Sequence, residues 1–297
     1  MVAAGRSLLC RSLRILTLLS LILTPACVTT PGMLESVGNG GAELVDLTHT
    51  LSPQLPLQLD TAGFQSVPFK TLERDGLSVQ RFAISDNTGT HIEAPARLIS
   101  SQTSVDKLPL RQFMGPGVLL DVTAKVKQDP TYKVSREDIA QWESDHGPIP
   151  NDAILIVRTD WSQRFGTPEK YGNVQNGKPV YPGISEEAVD FLVRERRVQA
   201  LGIDTASLYA GSGNTPGQRL FLSSGRYHIN NLTGLEAVPA KGATILAVPL
   251  KVQGGPSAPA RVLAIIPRVR SEVEPGKKKV DQSTEMGSDS AQPGMMR

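Results

Sequence analysis

Residues 87–97, Asn-Thr-Gly-Thr-His-Ile-Glu-Ala-Pro-Ala-Arg, carry an imidazole at His91, a carboxylate at Glu93 and a guanidinium at Arg97. Imidazoles and carboxylates are ordinary ligands of zinc and other divalent ions. Gly89, Thr90, His91 and Pro95 have the character of a tight functional loop. Asn87 and Arg97 suit a metal poorly: an amide is a weak zinc ligand, and a guanidinium stays cationic near neutral pH. The run reads as a metal-binding loop from which several ligands have been removed. Glu93 and Arg97 are expected to pair with each other in the metal's stead. The alternative has Arg97 gripping a ligand carboxylate through paired hydrogen bonds.

Elsewhere the chemistry is thinner. Of the four histidines, His228 lies two residues before Asn230 and shares its face if that segment is extended. Ordinary packing or exposure is its expected role, with substitution as a metal ligand the alternative. His49 is expected on an opening strand, and His146, beside Gly147 and Pro148, in a turn. Asp204 follows an apolar run and is expected to cap the next turn, with facing the cleft as the alternative. Gly211, Ser212 and Gly213 lack the lysine of a phosphate loop. These histidines support no Ser-His-Asp arrangement.

The elements that must position these residues are mostly short strands. Runs at 43–48, 78–84, 118–122, 153–158, 198–203, 243–248 and 261–266 are β-branched or aliphatic and bounded by turn residues. Ser135, with Asp138 three residues on, opens a capped helix. Ser185 opens another, with acids at its start and bases near its end. Residues 160–183 mix aromatics, glycines and prolines without period, as a long active-site loop would. The pattern predicts a mixed α/β domain over 43–270. A small, Gly-rich tether at 27–42 precedes it, and a polar tail at 271–297 without apolar periodicity follows.

The chain has 297 residues and a formal net charge of +2. Arg6, Arg11 and Arg14 fall in an acid-free first segment, and removing them from +2 leaves −1, so nothing points to a nucleic-acid partner. Those arginines, the apolar run 15–23 and the small residues before Cys27 read as an export signal over 1–26. A cysteine in that place resembles the acylated cysteine of a bacterial lipoprotein. Simple cleavage after Ala26 is the alternative. The expected address is periplasmic or membrane-anchored through lipidated Cys27. Both cysteines, Cys10 and Cys27, lie in this region, so the folded body holds no disulfide.

Several blocks together resemble one family. The 87–97 run is similar to the motif His-x-Gly-Thr-His-x-Asp-x-Pro-x-His of the cyclase superfamily, which includes bacterial kynurenine formamidases and isatin hydrolases. Further blocks follow in the family's order at 45–51, 104–109, 159–161, 202–207, 231–235 and 249–261. The resemblance implies a swivelling β/β/α fold, mixed sheets with a few packed helices, in a homodimer or homotetramer. It also implies zinc or manganese polarising an amide carbonyl and activating water. On that motif, Asn87 stands at the first histidine and His91 is retained. Glu93 replaces the aspartate, and Arg97 replaces the histidine assigned to proton transfer. Gln218 falls at a later histidine and Asn230 at a glutamate, twelve residues apart as in the family. Five of the six positions differ.

The implied family site carries two carboxylates; this one has one carboxylate and one guanidinium. At ~4 Å even screened charges interact by a few kcal/mol, so Arg97 opposes a divalent ion. No cofactor, or a weakly held divalent metal, is expected. The chain reads as an exported relative of metal-dependent amide hydrolases acting on a C–N bond of a small substrate. The alternative is a non-catalytic binding or scaffold lipoprotein that takes a small anionic ligand.

Overall fold

The apolar residues Ile154, Leu155, Ile156 and Val157 of the strand Ile154–Arg158 have no solvent face, and the strand lies at the centre of the sheet. Leu155 and Val157 enter one core while Ile154 and Ile156 enter a second on the opposite face. A strand covered on both sides needs no polar alternation, which is why the run reads as continuous. The computed structural model describes residues 32–55, 63–176, 178–209 and 215–268. The expected export signal with Cys27, the 211–213 glycine run and the polar tail lie outside these residues.

The strands used below are β1 (Ala42–Asp46), β2 (Gln65–Lys70), β3 (Val79–Ala83), β4 (His91–Glu93) and β5 (Met114–Asp121). They continue with β6 (Ile154–Arg158), β7 (Ala200–Ile203), β8 (Tyr227–Asn230), β9 (Lys241–Pro249) and β10 (Ser257–Pro267). Eight of them form one sheet in the order β1-β10-β9-β5-β6-β7-β8-β4. The run β5-β6-β7-β8 is parallel, and every other pairing is antiparallel. β4 pairs with β10 as well as β8, so the sheet closes on itself and β4 is the closing strand. The second core fills the inside of that closure. β2 and β3 stand apart as a two-stranded sheet.

Three helices of eight residues or more cover the outer core: α1 (Arg136–His146), α2 (Glu186–Arg194) and α3 (Pro216–Ser223). The capping box expected at Ser135 is formed: its hydroxyl accepts the Asp138 N–H and the Asp138 carboxylate accepts the Ser135 N–H. Ser185 caps α2 through the Ala188 N–H. The mixed α/β expectation holds, and the strand runs match with shifts of a few residues. His146 is the last residue of α1 rather than part of a turn. The 160–183 stretch is not bare loop: it folds into short helical turns at Trp161–Arg164 and Pro168–Gly172 and brief strand pairings. Its aromatics Trp161, Phe165, Tyr171 and Tyr181 are buried in the outer core. A short helix, Met33–Gly38, occupies part of the stretch expected as a tether.

Candidate functional site

β4 is three residues long because it is squeezed between two partners. His91 sits opposite Asn230 of β8 and Pro259 of β10; Glu93 sits opposite His228 and Ser257. The register that closes the sheet therefore also gathers the polar residues. The turn before β4 is pinned from several sides. Gly89 takes φ 65°, a conformation that favours glycine, and a Cβ there would lie 2.8 Å from Leu51 Cδ2, so that side chain would have to shift. The Gly89 carbonyl accepts His91 Nδ1 at 2.9 Å and Asn231 Nδ2 at 2.8 Å. The Thr90 hydroxyl donates to the Asn231 carbonyl and accepts the His49 N–H.

A carbonyl only accepts, so the bond to Gly89 places a proton on His91 Nδ1. In the neutral ring Nε2 then carries the lone pair that a metal would use. Asn230 Nδ2 sits 3.3 Å from that nitrogen. Glu93 is treated in the same way. Gln218 Nε2 donates to Glu93 Oε2 at 3.2 Å, and Arg97 Nε lies 3.5 Å from Oε1. His91 Nε2 and His228 Nδ1 stand 3.9 and 3.8 Å from the two carboxylate oxygens. Burial by itself would push the Glu93 carboxyl up, but the imidazoles of His228 and His91 outweigh it and hold it well below the carboxylate range. Arg97, one third exposed, also reaches Asp86 at 3.8 Å.

Gln218 owes its position to the start of α3. Thr215 caps that helix by accepting the Gln218 N–H, and Pro216 occupies its first turn, where no N–H is needed. One turn on, Phe221 stacks on the His228 ring with centroids 5.0 Å apart, and Tyr209 meets the ring edge-on. His228 thus packs as expected, and it is also within reach of Glu93. Asn230 and Gln218 are buried, and their Oδ1 and Oε1 atoms lack hydrogen-bond partners among the described residues. Reversing either amide would set its oxygen against the His91 lone pair or the Glu93 carboxylate, so both present N–H to the centre. Asn87 is buried four residues before His91 and has partners of its own.

The structure joins His91, Glu93, Arg97, Gln218 and Asn230 through direct contacts, with Asn87 in the same loop. Spacing from Asn230 pointed to His228 only as an alternative to packing, and no sequence pattern pointed to Asn231. Their membership comes from the β4–β8 register and from a backbone turn at Asn231 with φ 56°. The side chains do not fit a divalent metal in the family manner. The available lone pairs are engaged by amide and guanidinium N–H groups, and the amides Asn87, Gln218 and Asn230 stand where the resemblance implies ligands. Among the described residues no group of three His, Cys, Asp or Glu is arranged to hold a metal ion.

Asp204 lies apart from this cluster. Its buried carboxylate accepts the Thr159 N–H and hydroxyl and the Trp161 N–H. It closes the turn after β6 rather than the turn that follows itself. Burial pushes its carboxyl up to about 6, against those hydrogen bonds. His49 follows β1 and stacks face to face on Phe165 at 3.6 Å, and burial lowers its imidazole to about 4.

The closed sheet and the polar strand at its seam match one group of proteins. The family described as Putative cyclase matches residues 45–209, over half of the chain. The chain belongs to this cyclase family. An isatin hydrolase from Roseibium aggregatum is 28% identical over 254 residues, 80% of this chain and 97% of that protein. A kynurenine formamidase from Salinibacter ruber is 24% identical over 74% of this chain and 96% of that protein. Isatin hydrolase A from Labrenzia aggregata, solved with benzyl benzoate bound, superposes with a TM-score of 0.75 at 34% identity, covering 80% of this chain and 98% of that one. Other cyclase-family structures are described as metal-dependent hydrolases.

Proposed function

We propose that this chain is an exported cyclase-family protein, built on the fold of amide hydrolases such as isatin hydrolase, that binds a small anionic ligand without a catalytic metal. The observation that carries this reading is the capping of the retained His91 and of Glu93: Asn230 on His91 Nε2, Gln218 and Arg97 on Glu93. Arg97, at the position where the resemblance implies a proton-transfer histidine, supplies a permanent cation beside Glu93, and its one-third exposure leaves it open to a carboxylate from solvent. Export, and attachment through an acylated Cys27, rest on the N-terminal sequence alone.

Metal-dependent C–N bond hydrolysis, the activity named for the relatives, is the competing reading. Its support is the family itself, with a buried His91 and Glu93 still two residues apart on β4. One set of measurements separates the two. Purified protein is assayed for bound zinc and manganese, for hydrolysis of isatin and N-formylkynurenine, and for benzoate binding by calorimetry. We expect substoichiometric metal, no hydrolysis, and benzoate binding that Arg97→Ala weakens at least tenfold. Stoichiometric metal lost together with activity in His91→Ala would establish the hydrolase instead.

A further inference from the structure

Tyr171 lies in the 160–183 stretch, far in sequence from the turn before β4, yet its side chain ends at that turn. It is buried on the short helical turn Pro168–Gly172. Its carbonyl accepts the Trp161 Nε1–H at 3.0 Å, and the Phe165 ring meets its ring edge-on at 5.1 Å. The hydroxyl bonds to Asn231 Oδ1. Burial pushes the phenol well above its ordinary range, so it keeps its proton and donates. An amide whose oxygen accepts on one side turns its N–H groups to the other. Asn231 Nδ2 accordingly donates to the Gly89 carbonyl at 2.8 Å. A second path closes a ring of contacts. Phe165 stacks on His49, the His49 N–H donates to the Thr90 hydroxyl, and that hydroxyl donates to the Asn231 carbonyl. The 160–183 stretch therefore grips the site turn at Gly89 and at Thr90.

We propose that Tyr171 is a positioning residue of the site: through Asn231 it fixes the Gly89 carbonyl, and with it the ring nitrogen of His91 that carries the proton. This deepens the reading of a capped His91 given above, and rests on it. The His91–Asn230 pair can be bonded in two ways. In one, His91 is protonated on Nδ1 and Nε2 accepts the Asn230 Nδ2–H, 3.3 Å away. In the other, the proton sits on Nε2 and the Asn230 amide turns over, so that Oδ1 accepts it. Either way one end of the amide is bonded to the ring, so the pair alone does not choose. The Gly89 carbonyl does. It lies 2.9 Å from His91 Nδ1, and a bare nitrogen there would set two lone pairs against each other. A peptide next to glycine rotates easily. Asn231 Nδ2 pins this one, and the Tyr171 hydroxyl aims Asn231.

Nitrogen NMR of the imidazoles in the purified full-length chain reads this directly, because protonated and bare ring nitrogens differ widely in chemical shift. The His91 pair is assigned by its loss in His91→Gln. At neutral pH wild-type His91 should show one tautomer, with the proton on Nδ1. Tyr171→Phe keeps the buried ring and removes the hydroxyl, and we expect it to draw the two His91 shifts toward each other as both tautomers become populated. Asn231→Gly accepts the φ of 56° and deletes the amide, so it should do the same and decides the matter if Tyr171→Phe does not fold. Tyr181→Phe removes a hydroxyl from the same aromatic cluster and should leave the wild-type shifts. Benzoate titration runs in parallel. A wild-type chain that ignores benzoate counts against the anion-binding reading, while the tautomer of His91 is read without any ligand. Wild-type His91 protonated on Nε2, unchanged shifts in folded Tyr171→Phe or Asn231→Gly, or an equal change in Tyr181→Phe overturns the proposal.

Discussion

Arg97 is the residue on which the electrostatics of the site turns. Glu93 is nearly buried, and its carboxylate faces Gln218, two imidazoles and one guanidinium. Arg97→Ala removes the one permanent cation from that set. The pair is only partly shielded, so we expect a loss of about 1–2 kcal/mol, between the values for exposed and buried pairs. Urea unfolding measures it, and an unchanged midpoint would mean that the imidazoles and Gln218 suffice. Asp204 gives a pH-dependent counterpart. Its carboxyl is raised from 3.8 to about 6, so the folded state holds the proton more tightly than the unfolded chain. Its contribution to stability is complete below about pH 4 and is lost as pH rises through 6. Asp204→Asn cannot ionise, so it should cost more at pH 4 than at pH 7, by about 2 kcal/mol. Equal costs at the two pH values would show that the hydrogen bonds from Thr159 and Trp161 cancel the burial.

At the scale of elements, the site is a seam between β8, β4 and β10, held by one turn. Gly89→Ala places a methyl group against Leu51 and forces φ 65° on a residue with a side chain. We expect a loss of about 2 kcal/mol by thermal or chemical unfolding. Little change would mean that Leu51 and the turn relax freely. Ser135→Ala, far from the site, should cost about 1 kcal/mol through the capping box of α1 alone and leave ligand binding untouched. Elements of this second kind were legible in the sequence. The buried strands β5, β6 and β7 announce themselves as aliphatic runs, and the caps at Ser135 and Ser185 follow local rules. β4 did not, because three residues show no period, and its strand pairing comes from partners 139 and 164 positions away, Asn230↔His91 and Ser257↔Glu93. α3 was hidden by Gly217 despite the Thr215–Pro216 start. The site members His91, Glu93, Gln218 and Asn230 could be aligned only through the family motif. His228 was marked by its spacing from Asn230, but its place opposite Glu93, like the membership of Asn231, needed the register itself.

On the scale of the whole molecule, a metal at this seam would tie β4 to β8 and to the first turn of α3, three segments separated by more than a hundred residues of chain at one junction. Here hydrogen bonds between neutral amides, an imidazole and a carboxylate make the same connections. Two buried amide oxygens remain without partners, and such groups each cost about 1–3 kcal/mol. Restoring Asn87→His, Arg97→His, Gln218→His and Asn230→Glu removes both orphans and the guanidinium, and returns imidazoles and a second carboxylate. Wild-type protein should melt at the same temperature with or without zinc or manganese. The restored variant should melt higher with metal: at a hundred times its dissociation constant the gain is about 2.7 kcal/mol. For a domain of this size that corresponds to roughly 5–11 °C. A folded restored variant with no metal-dependent shift would show that these four positions do not meet around one ion. A wild-type shift of similar size would show that His91 and Glu93 escape their caps and bind metal after all.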